Sequence, residues 1–215
     1  MAQSPQPASI VITAWQDDAY GGDTNQDGQA TLPAPGSWDS LQIEQTGRAE
    51  LSHTILRYGG RSDGIIQVWG GSLTLDQSRL EQSYTSAISA TPYHGTSQAG
   101  RSITRAGRIS VRNSFIGHNG GSGVSIYAEA RTQIDIVNNA FKNNRAYPIA
   151  IRAATTESRL PALMDLSHNV ATQNGYNMIH LSGSYIRSTR IKAIGLPYDV
   201  DLVVLPRQTL TLDAG

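Results

Sequence analysis

The residues best equipped for chemistry sit in one short stretch, Asp23-Thr24-Asn25-Gln26-Asp27-Gly28, a D-x-N-x-D-G pattern. Side-chain oxygens at alternate positions, with a glycine to turn the chain, can wrap a hard cation such as Ca2+. Asp17 and Asp18 lie close enough in sequence to add carboxylates. The pattern departs from an EF-hand loop, because the position that would carry the bidentate Glu is Ala34 and no helical period flanks it. Two readings stay open. One is a structural Ca2+ held by Asp17, Asp18, Asp23, Asn25 and Asp27; the other is an Asx-turn loop with solvated carboxylates. A cation here would order a loop rather than react.

A second candidate is the pair Asp135 and Asp165, which hold the same place in consecutive repeats. Stacked repeats bring them about 5 Å apart, where two carboxylates share a proton or bind a cation and where retaining glycosidases place their pair. A solvated, mildly repulsive column is the simpler account. Trp69, Tyr127 and Arg152 end corresponding apolar phrases and are expected in one outer column, able to stack a sugar ring or meet a protein partner. Isolated surface aromatics read the same way. Trp15 and Trp38 flank the acidic loop and are expected to pack it down. The histidines do not converge: His53 and His168 share a repeat position but lie four repeats apart, about 19 Å at the stack spacing. His94, His118 and His180 fall in loop, bend and strand. No Ser–His–Asp spacing or phosphate-binding glycine loop is present.

What must position these residues is a phrase repeated five times: AELSHTILRYG from Ala49, LTLDQSRLEQS from Leu73, ISVRNSFIGHN from Ile109, IDIVNNAFKNN from Ile134 and MDLSHNVATQN from Met164. The starts are 24, 36, 25 and 30 residues apart. Shorter apolar phrases follow, including GIIQVWGG from Gly64, GVSIYA from Gly123 and PIAIRA from Pro148. Self-similarity of this period marks a solenoid, in which each repeat buries its apolar side on the next. Within a phrase the period is two: Leu73 and Leu75, or Ile134 and Ile136, face one way while Thr74 and Asp135 face the other. No stretch carries a sustained helical period.

The bends carry their own recurrence. The sixth position of the copies holds Thr54, Ser78, Ser114, Asn139 and Asn169; the eleventh holds Gly59, Ser83, Asn119, Asn144 and Asn174. In a parallel stack these come into register, and small polar side chains then bond up and down as ladders. The segment 91–105 explains the long gap as a loop insertion, and 154–161 is a smaller one.

Composition narrows the function classes. Of 215 residues, charged types make up 16%, formal net charge is zero and cysteine is absent. There is no basic footprint for nucleic acid and no run long enough for a membrane helix. Disulfides, thiolate metal sites and a cysteine nucleophile are excluded. The start, MAQSPQPAS, lacks the basic and apolar regions of a signal peptide.

The repeats and their Asn-rich bends resemble the right-handed parallel β-helix of the pectin-lyase-like superfold. More narrowly, WQDDAYGGDTNQDGQATLPAPGSWDSLQI followed by LSHTILRYGG is similar to modules of large secreted bacterial β-helix proteins. The resemblance implies an all-β, single-domain solenoid of seven to eight coils. Its parts are a tail (1–7), first coils with the acidic loop (8–48), regular repeats (49–195) and a last coil or edge strand (196–215). It further implies an extracellular or cell-surface location and a structural role as stalk, spacer or head-to-tail subunit. Partners would be further copies or adjacent modules, with polysaccharide binding or cleavage as the alternative. The Asn-Thr-Asp and Gly-His-Gly companions of the superfold's polygalacturonases are missing; only His94-Gly95 and Arg190-Ile191-Lys192 resemble pieces of that set.

Overall fold

The computed structural model describes residues 9–96, 99–153, 160–161, 164–185, 189–192 and 194–213. The tail, most of the 154–161 insertion and part of 91–105 therefore lie outside the described residues. All regular structure described is strand or turn.

Each repeat begins as a strand because its alternating apolar residues have a core to face. Leu73, Leu75, Val111 and Ile136 are completely buried. The strand stops at the fifth position, where the backbone is left-handed: His53 (φ 52), Gln77 (φ 46), Asn113 (φ 51), Asn138 (φ 59) and His168 (φ 58). The sixth residue then turns inward and a second short strand follows. It stops in the same way at position ten, at Tyr58, Gln82, His118, Asn143 and Gln173 (φ 55 to 64). Left-handed backbone costs a non-glycine residue about 1–2 kcal/mol, so what recurs at every corner must be held from outside the local chain.

Two corners and a looser third bend wrap the chain around three parallel sheets. The first sheet stacks Arg48–Ser52, Ser72–Asp76, Arg108–Arg112, Gln133–Val137 and Met164–Asp165. The second stacks Ile10–Ile12, Thr54–Arg57, Arg79–Glu81, Phe115–Gly117, Ala140–Lys142 and Val170–Thr172. The third runs through Leu41–Ile43, Ile66–Trp69, Ile88–Thr91, Val124–Ala128, Ile149–Ala153, Ile179–Tyr185 and Tyr198–Val204. Register is strict: Leu73, Ile109, Ile134 and Met164 are successive neighbours, so every interior residue sits on its counterpart.

The corner side chains form two ladders. Along the first, the amide N–H of Thr54 donates to Ser78 Oγ (3.1 Å), Ser78 N–H to Ser114 Oγ (3.1 Å), Ser114 N–H to Asn139 Oδ1 (2.9 Å) and Asn139 N–H to Asn169 Oδ1 (3.0 Å). Along the second, Ser83 N–H donates to Asn119 Oδ1 (2.9 Å), Asn119 Nδ2 to Asn144 Oδ1 (2.8 Å) and Asn144 N–H to Asn174 Oδ1 (3.0 Å). The asparagines also reach back to main-chain carbonyls: Asn139 Nδ2 to Val111 (2.9 Å), Asn169 Nδ2 to Ile136 (2.7 Å), Asn144 Nδ2 to Ile116 (3.1 Å) and Asn174 Nδ2 to Phe141 (3.1 Å). Each of these asparagines thus ties itself to the coil before it.

The first described strand, Ile10–Ile12, lies on Thr54–Leu56; the chain then leaves the tube through the acidic loop and returns at Leu41–Ile43. Trp38 closes this excursion. Its Nε1 donates to the Arg57 carbonyl (2.8 Å), and its ring lies on Gly59, where a Cβ would come within 2.6 Å of the indole. The 91–105 insertion is an antiparallel hairpin rather than a loop, pairing Tyr93–Thr96 with Ser102–Arg105. It packs against Gly70, where a Cβ would lie 2.8 Å from the Cβ atoms of both Tyr93 and Arg105.

Replacing Asn144 with Ala leaves several buried groups without partners, at about 1–3 kcal/mol each. Urea unfolding is expected to show a loss of about 3 kcal/mol. Asn143→Gly, next door but at a left-handed corner that glycine fits, should stay within about 0.5 kcal/mol of the unchanged chain.

Candidate functional site

Three places gather the candidate residues. In the acidic loop, Asp23 serves the backbone: Oδ1 accepts from Asp27 N–H (3.1 Å) and Oδ2 from Gly28 N–H (2.8 Å). These bonds close a turn that runs through left-handed Gln26 (φ 58) and Gly28 (φ 69). Asp27 Oδ2 accepts from Asn25 Nδ2 (2.9 Å) and Thr31 Oγ1 (2.5 Å). Thr24 Oγ1 donates to the Trp15 carbonyl (2.7 Å), but the Trp15 ring itself is exposed and does not pack the loop down. Asp17 is 3% exposed and is turned toward the tube: it accepts from Thr13 Oγ1 (2.5 Å) and lies 3.5 Å from Arg57 Nε. Asp18 differs. Burial first, then the charges of Asp23, Asp27 and Asp17, push its carboxyl above the usual carboxylate range. Four side-chain oxygens of this region, Gln16 Oε1, Asp18 Oδ1, Asn25 Oδ1 and Asp27 Oδ1, are shut off from solvent with no donor. Among the described residues, no three carboxylate or imidazole groups come together as a metal site by themselves.

The second place is the outer face of the first sheet. Asp135 and Asp165 are register neighbours there, and each carboxylate has a separate partner. Arg112 Nη2 donates to Asp135 Oδ2 in an ion pair. Asp165 Oδ1 accepts from Ser167 Oγ (2.6 Å) and Ser167 N–H (3.1 Å). The hydroxyl bond above all, helped by the amide, Arg112 and His168, outweighs burial and holds Asp165 below its ordinary range. A general acid needs the opposite shift. Arg112 on the neighbouring strand was the residue to look for: its outward, alternate position beside Asp135 was legible from the repeat. A groove of about 760 Å3 runs past this pair and is also lined by Arg108, Arg131 and Thr132.

The third place is the outer face of the third sheet. Tyr127 and Arg152 are direct register neighbours, while Trp69 pairs with Thr91, one strand short of Tyr127. Trp69 and Tyr127 are 39% and 40% exposed. A cluster the sequence reading missed adjoins them. Tyr147 stacks on Tyr176 (centroids 4.7 Å apart) and on His180 (4.9 Å). Asp199 Oδ2 accepts from Tyr147 OH (2.6 Å) and lies 2.9 Å from His180 Nδ1. The Tyr147 and His180 contacts hold the Asp199 carboxyl low. The Asp199 bond, then burial, pushes the Tyr147 phenol up to about 12. His180 and Asp199 meet because Ile179–Tyr185 and Tyr198–Val204 stack in register; no repeat of the five-copy phrase marks that coil.

The Tyr147 phenol ionises later in the folded chain than when unfolded. Its bond therefore stabilises fully below the unfolded value near ~10 and is lost as pH rises through about 12. Tyrosine-ring NMR through alkaline pH should find one resonance titrating near about 12. Asp199→Asn is expected to bring it down toward ~10.

Comparison with known families matches residues 37–162 to the family described as the right-handed beta helix region. No curated protein and no solved structure gives a match.

Proposed function

The chain belongs to the right-handed β-helix family, and from that premise we propose that it is a non-catalytic structural module, a rigid tube whose last described coil is continued in register by a further coil, supplied by another copy of the chain or by an adjacent module. The observation that carries this reading is the open last coil. Val200 continues the column of the fully buried Leu181, and Leu212 continues that of buried Ile191. Yet Val200 is 54% and Leu212 74% exposed. Interior positions left in water favour a cover that continues the same register. At the opposite end, Leu41–Ile43 and Arg48–Ser52 are the terminal strands of their sheets.

The reading also has the protein exported to the extracellular space or cell surface. The support is the similarity of the segment from Trp15 to Ile43 to modules of large secreted bacterial β-helix proteins, and a tube made rigid by stacking needs no disulfides there. The ion-paired Asp135 and the lowered Asp165 support a non-catalytic role, since neither arrangement readies a proton for a leaving group.

Sedimentation of the full chain at rising concentration is expected to show multiples of 23.1 kDa, and negative-stain images should show end-to-end rods. Val200→Lys with Leu212→Lys should return it to a folded monomer. A 23.1 kDa monomer at every concentration of the unchanged chain would refute stacking on further copies.

A second reading, polysaccharide binding without cleavage, is favoured by exposed Trp69 and Tyr127 on the third sheet, where Tyr127 is the register neighbour of Arg152, and by exposed Tyr176 just before that sheet's Ile179–Tyr185 strand. Acidic oligosaccharides should then shift the Tyr127 and Trp69 side-chain resonances, and Arg152→Ala should abolish the shift. Turnover of uronic-acid polysaccharides that is lost in Asp135→Asn would instead establish cleavage.

A further inference from the structure

We propose that the cavity beside the second corner, between Tyr84 and Arg145, is a binding slot for one nucleobase, taken as a free purine nucleoside. The cavity holds about 450 Å3 and is lined by Gln82, Tyr84, His118, Gly120, Asn143 and Arg145, a size that suits one base with its sugar. Three consecutive coils build it. Gly120 N–H donates to the Ser83 carbonyl (2.9 Å) and Arg145 N–H to the Asn119 carbonyl (2.9 Å), so Tyr84, Gly120 and Arg145 follow one another in a single column. At Gly120 a Cβ would come within 2.1 Å of the Tyr84 carbonyl oxygen. No side chain fits there, and the column has a gap one coil high between an aromatic ring and a guanidinium.

The height of that gap selects a flat ring. Tyr84 and Arg145 lie two coils apart, about 9.6 Å at the stack spacing, so a ring seated over Gly120 has each of them one coil away. One coil is the distance across which this tube stacks its own rings: Tyr147 on Tyr176 at 4.7 Å, and Arg79 over Phe115 at 4.6 Å. A base would rest on Tyr84 with one face and take the Arg145 guanidinium on the other, and bases stack on both kinds of plane.

The side chains around the gap are uncommitted. Among the described residues, Gln82, Tyr84, Asn143 and Arg145 make no side-chain hydrogen bond or ion pair, and Tyr84 is 63% exposed. Gln82, His118 and Asn143 are the left-handed corner residues (φ 55 to 59) of the same three coils, so they form a second column along the edge of the gap. Their amide and imidazole groups both donate and accept, which suits the mixed edge of a base, and one amide matches the N6 and N7 edge of adenine. Pro35 closes the rim and is held in place: Gly36 N–H donates to the Gly59 carbonyl (3.1 Å) and Arg61 Nε to the Gly36 carbonyl (3.0 Å). Among the described residues no carboxylate lines the slot and Arg145 is its one guanidinium. With zero net charge on the chain, that suits a neutral nucleoside better than a strand of phosphates. The site goes beyond the stacking role, and neither stands or falls with the other.

The test titrates the full chain with adenosine, followed by calorimetry and by NMR of the tyrosine rings and arginine side chains. One equivalent should bind, shifting the Tyr84 ring protons and the Arg145 Nε–H. Tyr84→Ala and Arg145→Lys should each weaken binding at least about fivefold, the second because lysine keeps the charge and loses the plane. Both residues are exposed, so the variants should fold, and amide spectra unchanged away from the slot will show it. Asn143→Ala should remove the preference for adenosine over uridine. No shift at millimolar adenosine would overturn the proposal, as would binding that survives both Tyr84→Ala and Arg145→Lys. Equal affinity for glucuronate or for N-acetyltryptophanamide would overturn it too, by making the slot a sugar site or a socket for a partner's side chain. Tighter, steeply salt-dependent binding of oligoadenylate would place the base in a strand and overturn the free-nucleoside assignment.

Discussion

Everything in this molecule depends on how a polar side chain is satisfied inside a tube of apolar ones. At two corners of each coil the backbone enters the left-handed region, with residues such as His53, Gln82 and Asn143 rather than glycine. That conformation is unfavourable alone, and the inward residue that follows brings a polar group into the core. Both costs are offset by the next coil. Asn139, Asn144, Asn169 and Asn174 each accept a proton from the preceding coil and return one to a carbonyl of it. A single coil could satisfy neither demand, so the fold is cooperative along its axis.

The outer faces follow from the same register. Because strands stack without offset, outward residues form columns, and a charge on one coil meets whatever its counterpart carries. Arg79 reaches Glu81 across two residues of its strand and lies 4.6 Å over the Phe115 ring on the next coil. Arg112 faces Val137 in register and reaches diagonally to Asp135, whose own counterpart is Ser110. The Asp135 and Asp165 column, which looks like a catalytic pair in the sequence, is thus drawn into an ion pair by an arginine two residues along the neighbouring strand. Where aromatic rings meet instead, as at Tyr147, Tyr176 and His180, Asp199 fixes two of them through hydrogen bonds.

Much of the fold was legible because the repeat is periodic in two ways at once. Alternation gave Leu73, Val111 and Ile136 as interior residues, and recurrence gave positions six and eleven as stacked corners. The left-handed residues at five and ten were not legible. Their types, His, Gln, Asn and Tyr, are polar and lack a β-branch, but such residues are as common in strands and ordinary turns, so the strain they bear is visible only in φ. The hairpin from Tyr93 to Arg105 was also missed, because Thr-Pro-Tyr-His-Gly reads as loop and its strands pair only with each other. In the acidic loop the motif was plain, but the division of labour within it was not. Asp17 turns to Arg57, Asp23 to the backbone, and only the remaining oxygens are left over.

Native-state hydrogen exchange of the Ser114, Asn139 and Asn144 backbone amides tests the stacked corners most directly, because each of these N–H groups donates to an asparagine side chain one coil away. The ladder account predicts that they exchange only through global opening, as slowly as the buried strand amides of Val111 and Ile136. Exchange as fast as that of exposed loop amides would contradict it.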